Sequence, residues 1–393
     1  MNRKIVLETL LNCAPLSRVD IARATTLSPS TVTNAVSALM GEGLVQEIGA
    51  GTSTAVGRPP ILLDVCWDSR SVIGIGVLDN HLIGVRTNLR AQVKTTFVSE
   101  IFKDTDIMDV AKAAVDELMS GEAPSRVIGI GVATPGILDR ESGQIVNSAN
   151  FNWTNVEVTR ELENYSGVPT IIENDTNAAA LGELHFGIGR GVSSFAYILI
   201  GTGVGSGIVV DGRLLLGSRG MAGEVGHMTV DWRGQKCTCG SYGCLETYVS
   251  WRAVTKMMER NFPASKVSEN LDSILDRATF VETLYEREDM KGPLDEAASV
   301  MGAGVASLVT VLNPQLVVVE GIYRNSGWFL EGLKKEASSR LTNVTHTPPV
   351  ITLGELGDKA SVLGAVALVL ENNELLGSPA LRQEREAGKE TTP

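Results

Sequence analysis

Three of the five cysteines, Cys237, Cys239 and Cys244, fall within eight residues, and His227, one of four histidines, lies ten residues upstream. Three thiolates and an imidazole form the ligand set of a closed tetrahedral zinc site. Buried free thiols are the alternative, although three thiols this close otherwise invite oxidation. No acid, base or open coordination position accompanies the set, so the zinc expected here is structural. Glu224 and Glu246 bracket the ligands and are not needed by the metal. Asp175 closes an apolar run and opens an Ala-rich one, a position from which a carboxylate projects into a cleft and can take a proton from a hydroxyl. Capping of the following helix by Asn174-Asp175 accounts for the same residues equally well. Gly201-Thr-Gly-Val-Gly-Ser-Gly207 alternates glycine with other residues, which either lets backbone N–H groups approach a phosphate or makes a tight turn between strands.

These groups need a scaffold, and from Ser71 the chain reads as strands and glycines. Apolar runs at 72–77, 127–136 (running into a turn) and 168–175 (ending in polar groups) predict buried strands, with 82–86 and 91–99 as an antiparallel meander beside the first. Residues 107–119 predict an amphipathic helix and 176–183 an Ala-rich one. A second unit opens similarly, with strands at 195–200, 208–210 and 213–216 and a hairpin turn at Asp211-Gly212. Helices at about 246–261, 271–284, 293–312, 326–339 and 360–370, and strands at 316–320 and 350–353, complete it. The recurrence near 72 and near 196 predicts two similar α/β lobes with a cleft between them.

Residues 1–65 have another character. An apolar helical stripe (Ile5, Val6, Leu7, Leu10, Leu11) precedes Ser17, which caps a short second helix. Ser28-Pro29 then starts a third helix with a cap followed by proline at the first helical position. That helix buries Val32, Val36 and Leu39 and turns Ser30, Thr31, Thr33, Asn34 and Ser37 outward. Strands at 44–48 and 61–65 form a wing, with Arg58 stiffened by Pro59 and Pro60 at its return. This is the winged helix-turn-helix pattern, with Ser28, Ser30, Thr31, Thr33 and Asn34 facing the major groove and Arg58 suited to the minor groove. A small helical adaptor is the competing reading; caps, helix lengths and wing together favour DNA.

Bulk numbers agree with this division. At 393 residues and 43% hydrophobic, the chain expects two or three domains with real cores. The first 65 residues hold five basic and five acidic groups, so the rest carries the whole net charge of −12. An acidic body with a neutral head tolerates DNA only at the head. Cys13 and Cys66 lie far apart in sequence, so no disulfide framework is expected and a reducing cytoplasm is the default. No run of 18 apolar residues and no signal-peptide pattern is present, and no membrane partner is expected.

Glu224-Val-Gly-His227 followed by Cys237-Thr-Cys-Gly-Ser-Tyr-Gly-Cys-Leu-Glu246 resembles the signature of the ROK family (repressors, open reading frames, kinases). Glu173-Asn-Asp-Thr-Asn-Ala-Ala-Ala-Leu-Gly-Glu183 and Ile200-Gly-Thr-Gly-Val-Gly-Ser-Gly207 resemble it too, and the likeness covers about residues 70–372. The resemblance implies an α/β, two-lobed, actin-like sugar-kinase fold behind the winged head. It implies zinc on His227, Cys237, Cys239 and Cys244. It implies sugar contacts from Asn150, Asn174, Asp175, Glu224, His227 and Glu246, with Asp175 at the kinase-type base position. The head is similar to that of the family's xylose, glucose and N-acetylglucosamine repressors. The expected division is 1–65 for the head, 66–174 for a small lobe completed by 360–376, 175–359 for a large lobe with the zinc site, and 377–393 for a disordered tail.

Departures from the family pattern separate regulator from enzyme. Gly76 stands where the kinases place an aspartate in their first phosphate turn, and Val319-Glu320-Gly321-Ile322 breaks the late double glycine. A carboxylate in an adenine pocket disfavours ATP, while the sugar and zinc residues remain. The expectation is therefore a sugar-responsive repressor without catalysis, acting on operator DNA as a dimer or tetramer with a monosaccharide effector. An active hexokinase-type enzyme with a regulatory head is the alternative.

Overall fold

The computed structural model describes residues 2–51, 59–78, 80–102, 105–148, 151–261, 271 and 273–372. Arg58, Asn150 and the expected tail at 377–393 lie outside the described residues.

The head comprises α1 (Asn2–Cys13), β1 (Leu16–Ser17), α2 (Arg18–Thr25), α3 (Pro29–Gly41), β2 (Val45–Ala50) and β3 (Ile61–Val65). Its helices begin where local chemistry dictates. The Ser17 hydroxyl accepts from Asp20 N at 3.2 Å while the Asp20 carboxylate accepts from Ser17 N at 3.2 Å, a reciprocal capping box. The Ser28 hydroxyl accepts from Thr31 N at 3.2 Å, with Pro29 opening α3. Val6, Leu7, Leu10, Ile21, Val32, Val36 and Leu39 are buried together, which fixes α3 on the other two helices. The wing has three strands in the order β1-β3-β2. The third, β1, is two residues long and gives no periodic signal.

The body carries two five-stranded sheets. The first is built from β4 (Ser71–Leu78), β5 (His81–Asn88), β6 (Val93–Glu100), then, after α4 (Ile107–Met119), β7 (Val127–Thr134). A small antiparallel sheet follows, of β8 (Ile137–Asp139), β9 (Gln144–Ser148) and β10 (Trp153–Val156), and then α5 (Val158–Ser166). The first sheet closes with β11 (Thr170–Asn174), which runs directly into α6 (Asp175–Phe186). The second sheet begins with β12 (Phe195–Ile200), β13 (Val204–Val210) and β14 (Arg213–Leu214). The helices α7 (Glu246–Val249), α8 (Trp251–Asn261), α9 (Ile274–Tyr285) and α10 (Glu288–Leu312) precede β15 (Leu316–Gly321). The chain continues through α11 (Gly327–Leu341) and β16 (Val350–Thr352) to α12 (Ala360–Asn372).

In chain order within each sheet both read 3-2-1-4-5: β6-β5-β4-β7-β11 and β14-β13-β12-β15-β16. In each, the first strand pairs antiparallel with the second and parallel with the fourth. The sequence repeat is thus a repeat of topology.

Three details depart from the sequence reading. Residues 137–166 hold β8 to β10 and α5, which short strands with weak alternation did not announce. The helix expected over 246–261 is broken at Ser250, where the backbone turns extended and Trp251 N donates to Gly201 O at 2.8 Å. The helix α10 starts at Glu288, ahead of Pro293. By length and composition α10 could cross a membrane, but 56% of its most apolar window is buried within the protein.

One helix pair joins the sheets. The helix α12 packs on β4 and β7, α6 packs on β12 and β13, and the two helices cross. They meet at glycine: a β-carbon on Gly364 would lie 1.6 Å from Ala178 O, and one on Gly182 would lie 2.2 Å from Ala360 O. Gly364→Ala should therefore destabilise the protein by about 2–3 kcal/mol, as overpacking of a tight contact does. Urea unfolding measures this, and an unchanged midpoint would mean that the helices do not touch there.

Candidate functional site

A cleft of about 830 Å3 opens between the two sheets. Asn174, Asp175, Glu224, His227 and Glu246, five of the six residues expected to contact sugar, line it. The sixth is Asn150, outside the described residues. Asn174, not Asp175, caps α6: its Oδ1 accepts from Thr176 N at 3.0 Å and Asn177 N at 3.2 Å. That leaves only the Asn174 NH2 to face a ligand. Asp175 is the first helical residue, with one oxygen accepting from Thr176 N at 2.8 Å. The capping role thus falls to Asn174, while Asp175 lines the cleft.

Glu246 opens α7 and is buried, with Oε2 accepting from Val204 N at 3.3 Å. Its Oε1 receives Cys237 Sγ and Thr238 Oγ1, each at 3.4 Å. The Gly201–207 stretch is the turn between β12 and β13 plus the start of β13, and Gly203 is required there. A β-carbon on it would lie 2.6 Å from Glu246 Oε2.

Sequence reasoning missed Arg140 and Glu173. Glu173 is buried, and Arg140 clasps it through Nε (2.7 Å) and Nη2 (2.5 Å). The third Arg140 nitrogen donates to Gly220 O at 2.8 Å, on a loop of the opposite lobe. One arginine therefore spans the cleft. Ser148 Oγ and Asn177 Oδ1, both buried in the cleft wall, have no hydrogen-bond partner among the described residues. Asn177 lies within the Glu173–Glu183 motif, which does not single it out, and Ser148 lies outside every motif named above.

The ligand atoms of His227, Cys237, Cys239 and Cys244 all lie within 4.8 Å of one another. Cys239 and Cys244 sulfurs are 3.7 Å apart, and Cys237 Sγ is 3.7 Å from His227 Nδ1. Metal–sulfur bonds of about 2.3 Å give a tetrahedron with edges of roughly 3.8 Å. The donor set and its spacing therefore fit a metal ion. Burial pushes the Cys244 thiol up to about 12 and also raises Cys237, whereas the Ser241 backbone N–H lowers Cys239.

On the other side of Asp175 a second cavity, of about 20 Å3, is lined by Tyr197, Glu320, Asp358 and Ser361. Glu320 is buried and accepts from Gly354 N at 3.0 Å, while Arg324 pairs with Asp358 at 3.1 Å and lies 3.8 Å from Glu320. Desolvation raises the Glu320 carboxyl and Arg324 partly offsets it. A β-carbon on Gly76 would lie 3.2 Å from Val362 Cβ, so α12 packs closely on β4 at that point.

On the head, Ser28, Ser30, Thr33 and Asn34 are exposed and Thr31 is half-buried, all at the N-terminal end of α3. Some of the hydroxyls are engaged locally: Ser28 with Ser30 and Thr31, and Thr33 with Pro29 O at 2.8 Å.

The ROK family matches residues 81–372 and a winged helix-turn-helix DNA-binding family matches residues 2–46. The chain belongs to the ROK family. It is 32% identical over 383 residues to a putative xylose repressor from Caldicellulosiruptor sp. (strain Rt8B.4), covering 95% of this chain and 96% of that one. It is also 32% identical over 266 residues to a glucokinase from Halalkalibacterium halodurans, covering 65% and 81%. Among solved structures it shares the fold of a ROK family transcriptional regulator, a homolog of the E. coli MLC protein. The TM-score is 0.80 at 24% identity, over 95% and 97% of the chains. The ROK body with a winged DNA-binding head is thus the architecture of this chain.

Two outcomes follow. Metal uptake by the ROK cysteine–histidine cluster must displace protons from the raised thiols of Cys237 and Cys244. Its affinity should therefore rise with pH between 6 and 8, as measured by competition with a chromophoric chelator; a flat profile would contradict the cluster's role. Arg140→Met leaves the Glu173 carboxylate buried without its cation and should cost about 3 kcal/mol or more in urea unfolding, where a cost below ~1 kcal/mol would show the clasp to be dispensable.

Proposed function

We propose that this protein is a sugar-responsive transcriptional repressor of carbohydrate-utilisation genes. The head binds operator DNA, a monosaccharide binds in the cleft, and no phosphoryl transfer follows. One association supports the reading: the chain that carries a capped recognition helix also carries a polar cleft, and the buried carboxylate of Glu320 lines the small cavity next to it beside Asp175.

The cleft's own residues divide donors from acceptors. With His227 Nδ1 turned to the sulfurs, Nε2 keeps the proton and is a fixed donor to a sugar hydroxyl. The Asn174 amide is a second donor. Asp175 and Glu224 accept. Displacing the Cys237 thiol proton removes one of two donors from Glu246 Oε1 and leaves it Thr238 Oγ1, so the oxygen gains room for one ligand hydroxyl. A site matched in this way rejects a sugar lacking the paired hydroxyl. Zinc is the ion we assign to the cluster. It supplies a cross-link that holds His227 and the 237–246 loop together, with no open position for chemistry.

A phosphoryl donor would have to approach Asp175 from the side where Glu320 and Asp358 sit, two carboxylates that share the single cation of Arg324 and so offer a polyphosphate no free positive charge. The xylose repressor likeness along nearly the whole chain makes a pentose such as D-xylose the leading effector. Winged heads read paired half-sites, so we assign a dimer or higher oligomer acting in the cytoplasm. The glucokinase likeness favours a second reading, an active sugar kinase with a DNA-binding head.

A melting screen against a monosaccharide panel that includes D-xylose separates these. At least one sugar should stabilise the protein by mass action, and Glu246→Gln should abolish the shift. Added ATP and magnesium should give no sugar phosphate. Turnover above background would instead establish the kinase, and no shift with any sugar would remove the effector cleft.

A further inference from the structure

The head is not tethered by a free linker. Between β3 and β4 the chain is bonded on both sides. Cys66 N donates to Leu44 O at 2.8 Å, and Leu89 N donates to Trp67 O at 3.1 Å. Trp67 Nε1 donates to Asp64 Oδ1 at 3.0 Å, and the Arg90 guanidinium stacks on its ring at 4.1 Å. The Asp68 carboxylate accepts from Asn88 at 2.9 Å and Lys94 at 2.8 Å, while Arg126 holds the carbonyls of Asp68 and Ser69. Glu122 accepts from Ser71 at 3.1 Å and from Arg86 at 2.5 Å, which fixes the start of β4.

Within this buckle one side chain reaches the recognition helix. Arg70, half-buried just before β4, donates through Nη2 to Glu42 O at 3.2 Å and through Nη1 to Ser69 O at 2.9 Å. Glu42 is the C-cap residue of α3, so its carbonyl belongs to the negative end of that helix, where a cation is favourable. Arg70 thus grips α3 by its C-terminus, opposite the end that carries Ser28, Ser30 and Thr31. Beneath it the head core is continuous with the body: Leu39, Leu44 and Val65 share one apolar cluster with Val72, Val85, Val362 and Val366. Val362 and Val366 lie on α12, which crosses α6, and α6 begins at Asp175 in the cleft.

We propose that Arg70 is a positioning residue that fixes the pose of α3 on the body, so that lobe movement at the cleft is delivered to the DNA-reading surface. This rests on the sugar-responsive reading above. A rigid handle is needed because a ligand shifts a two-state equilibrium only by its differential affinity for the two states, and a loosely held head would not feel the difference. Arg70 spans two carbonyls with one planar fork, whereas a lysine at the position offers a single ammonium.

The test uses full-length wild type, Arg70→Ala and Arg70→Lys, and a fluorescent duplex selected from a random library by the wild type. The sugar is the panel member giving the largest melting shift. In both variants sugar affinity should stay within about twofold of wild type. The ratio of operator affinities without and with sugar should fall at least tenfold in Arg70→Ala and by less in Arg70→Lys. A merely stabilising contact would lower melting and leave that ratio alone, and an unchanged ratio in a folded variant overturns the proposal. If no sugar affects the wild type, the sugar-responsive reading fails by itself. Hydrogen exchange then decides on Arg70: amides of residues 39–45 should exchange more than twofold faster in Arg70→Ala while those of α1 do not, and equal exchange overturns it.

Discussion

The crossing of α6 and α12 is the contact on which the body depends. Each helix lies on a different sheet, and each contributes a glycine that lets the other's backbone approach to carbonyl distance. Close-packed backbones of this kind shift as units and do not deform smoothly. The cleft is therefore bounded by two stiff layers, and a ligand that touches both biases one rigid-body coordinate. The Arg140 clasp on Glu173 and Gly220 spans the same opening from the opposite wall.

The cysteine–histidine cluster has a different task. Residues 224–246 contain little regular structure, only a short 3-10 turn at Val225–His227 and the start of α7. Their backbone has strand-type pairing only at two isolated bridges, Thr229 with Cys244 and Lys236 with Tyr242, and in no continuous strand among the described residues. A metal held by the four residues would cross-link this loop at His227 and beside Glu246, whose Oε1 is 3.4 Å from Cys237 Sγ. Under the function proposed above, metal and sugar recognition would be a single device, with the ion acting on orientation and the protein's own donors and acceptors acting on the ligand.

Much of this was legible in the sequence wherever chemistry is local. The Ser17 capping box, the Ser28-Pro29 start and the Cys237, Cys239, Cys244 spacing act within a few residues, and the structure shows each of them in place. The doubled strand–turn–hairpin pattern gave two sheets because hydrophobic alternation and turn residues also act locally. What stayed hidden depends on distance. Arg140 and Glu173 stand 33 residues apart, and Arg70 and Glu42 are joined through a backbone carbonyl that no residue type advertises. The break at Ser250 comes from a hydrogen bond to Gly201, which helical periodicity does not contain. Asn174 and Asp175 were interchangeable in sequence, and only the cap geometry divides their roles.

The charge distribution sets the operating condition. An acidic body behind a neutral head leaves operator binding to short-range contacts from the head. Under the proposed function, moving operator occupancy from nearly full to nearly empty takes about 5.5 kcal/mol of discrimination between the two states by the effector. The most direct measurement is operator affinity of the purified wild-type protein, at fixed salt, across a titration with the sugar that stabilises it. The account predicts that affinity changes by orders of magnitude as the cleft fills; operator affinity that stays constant through saturation with a sugar the protein demonstrably binds would contradict it.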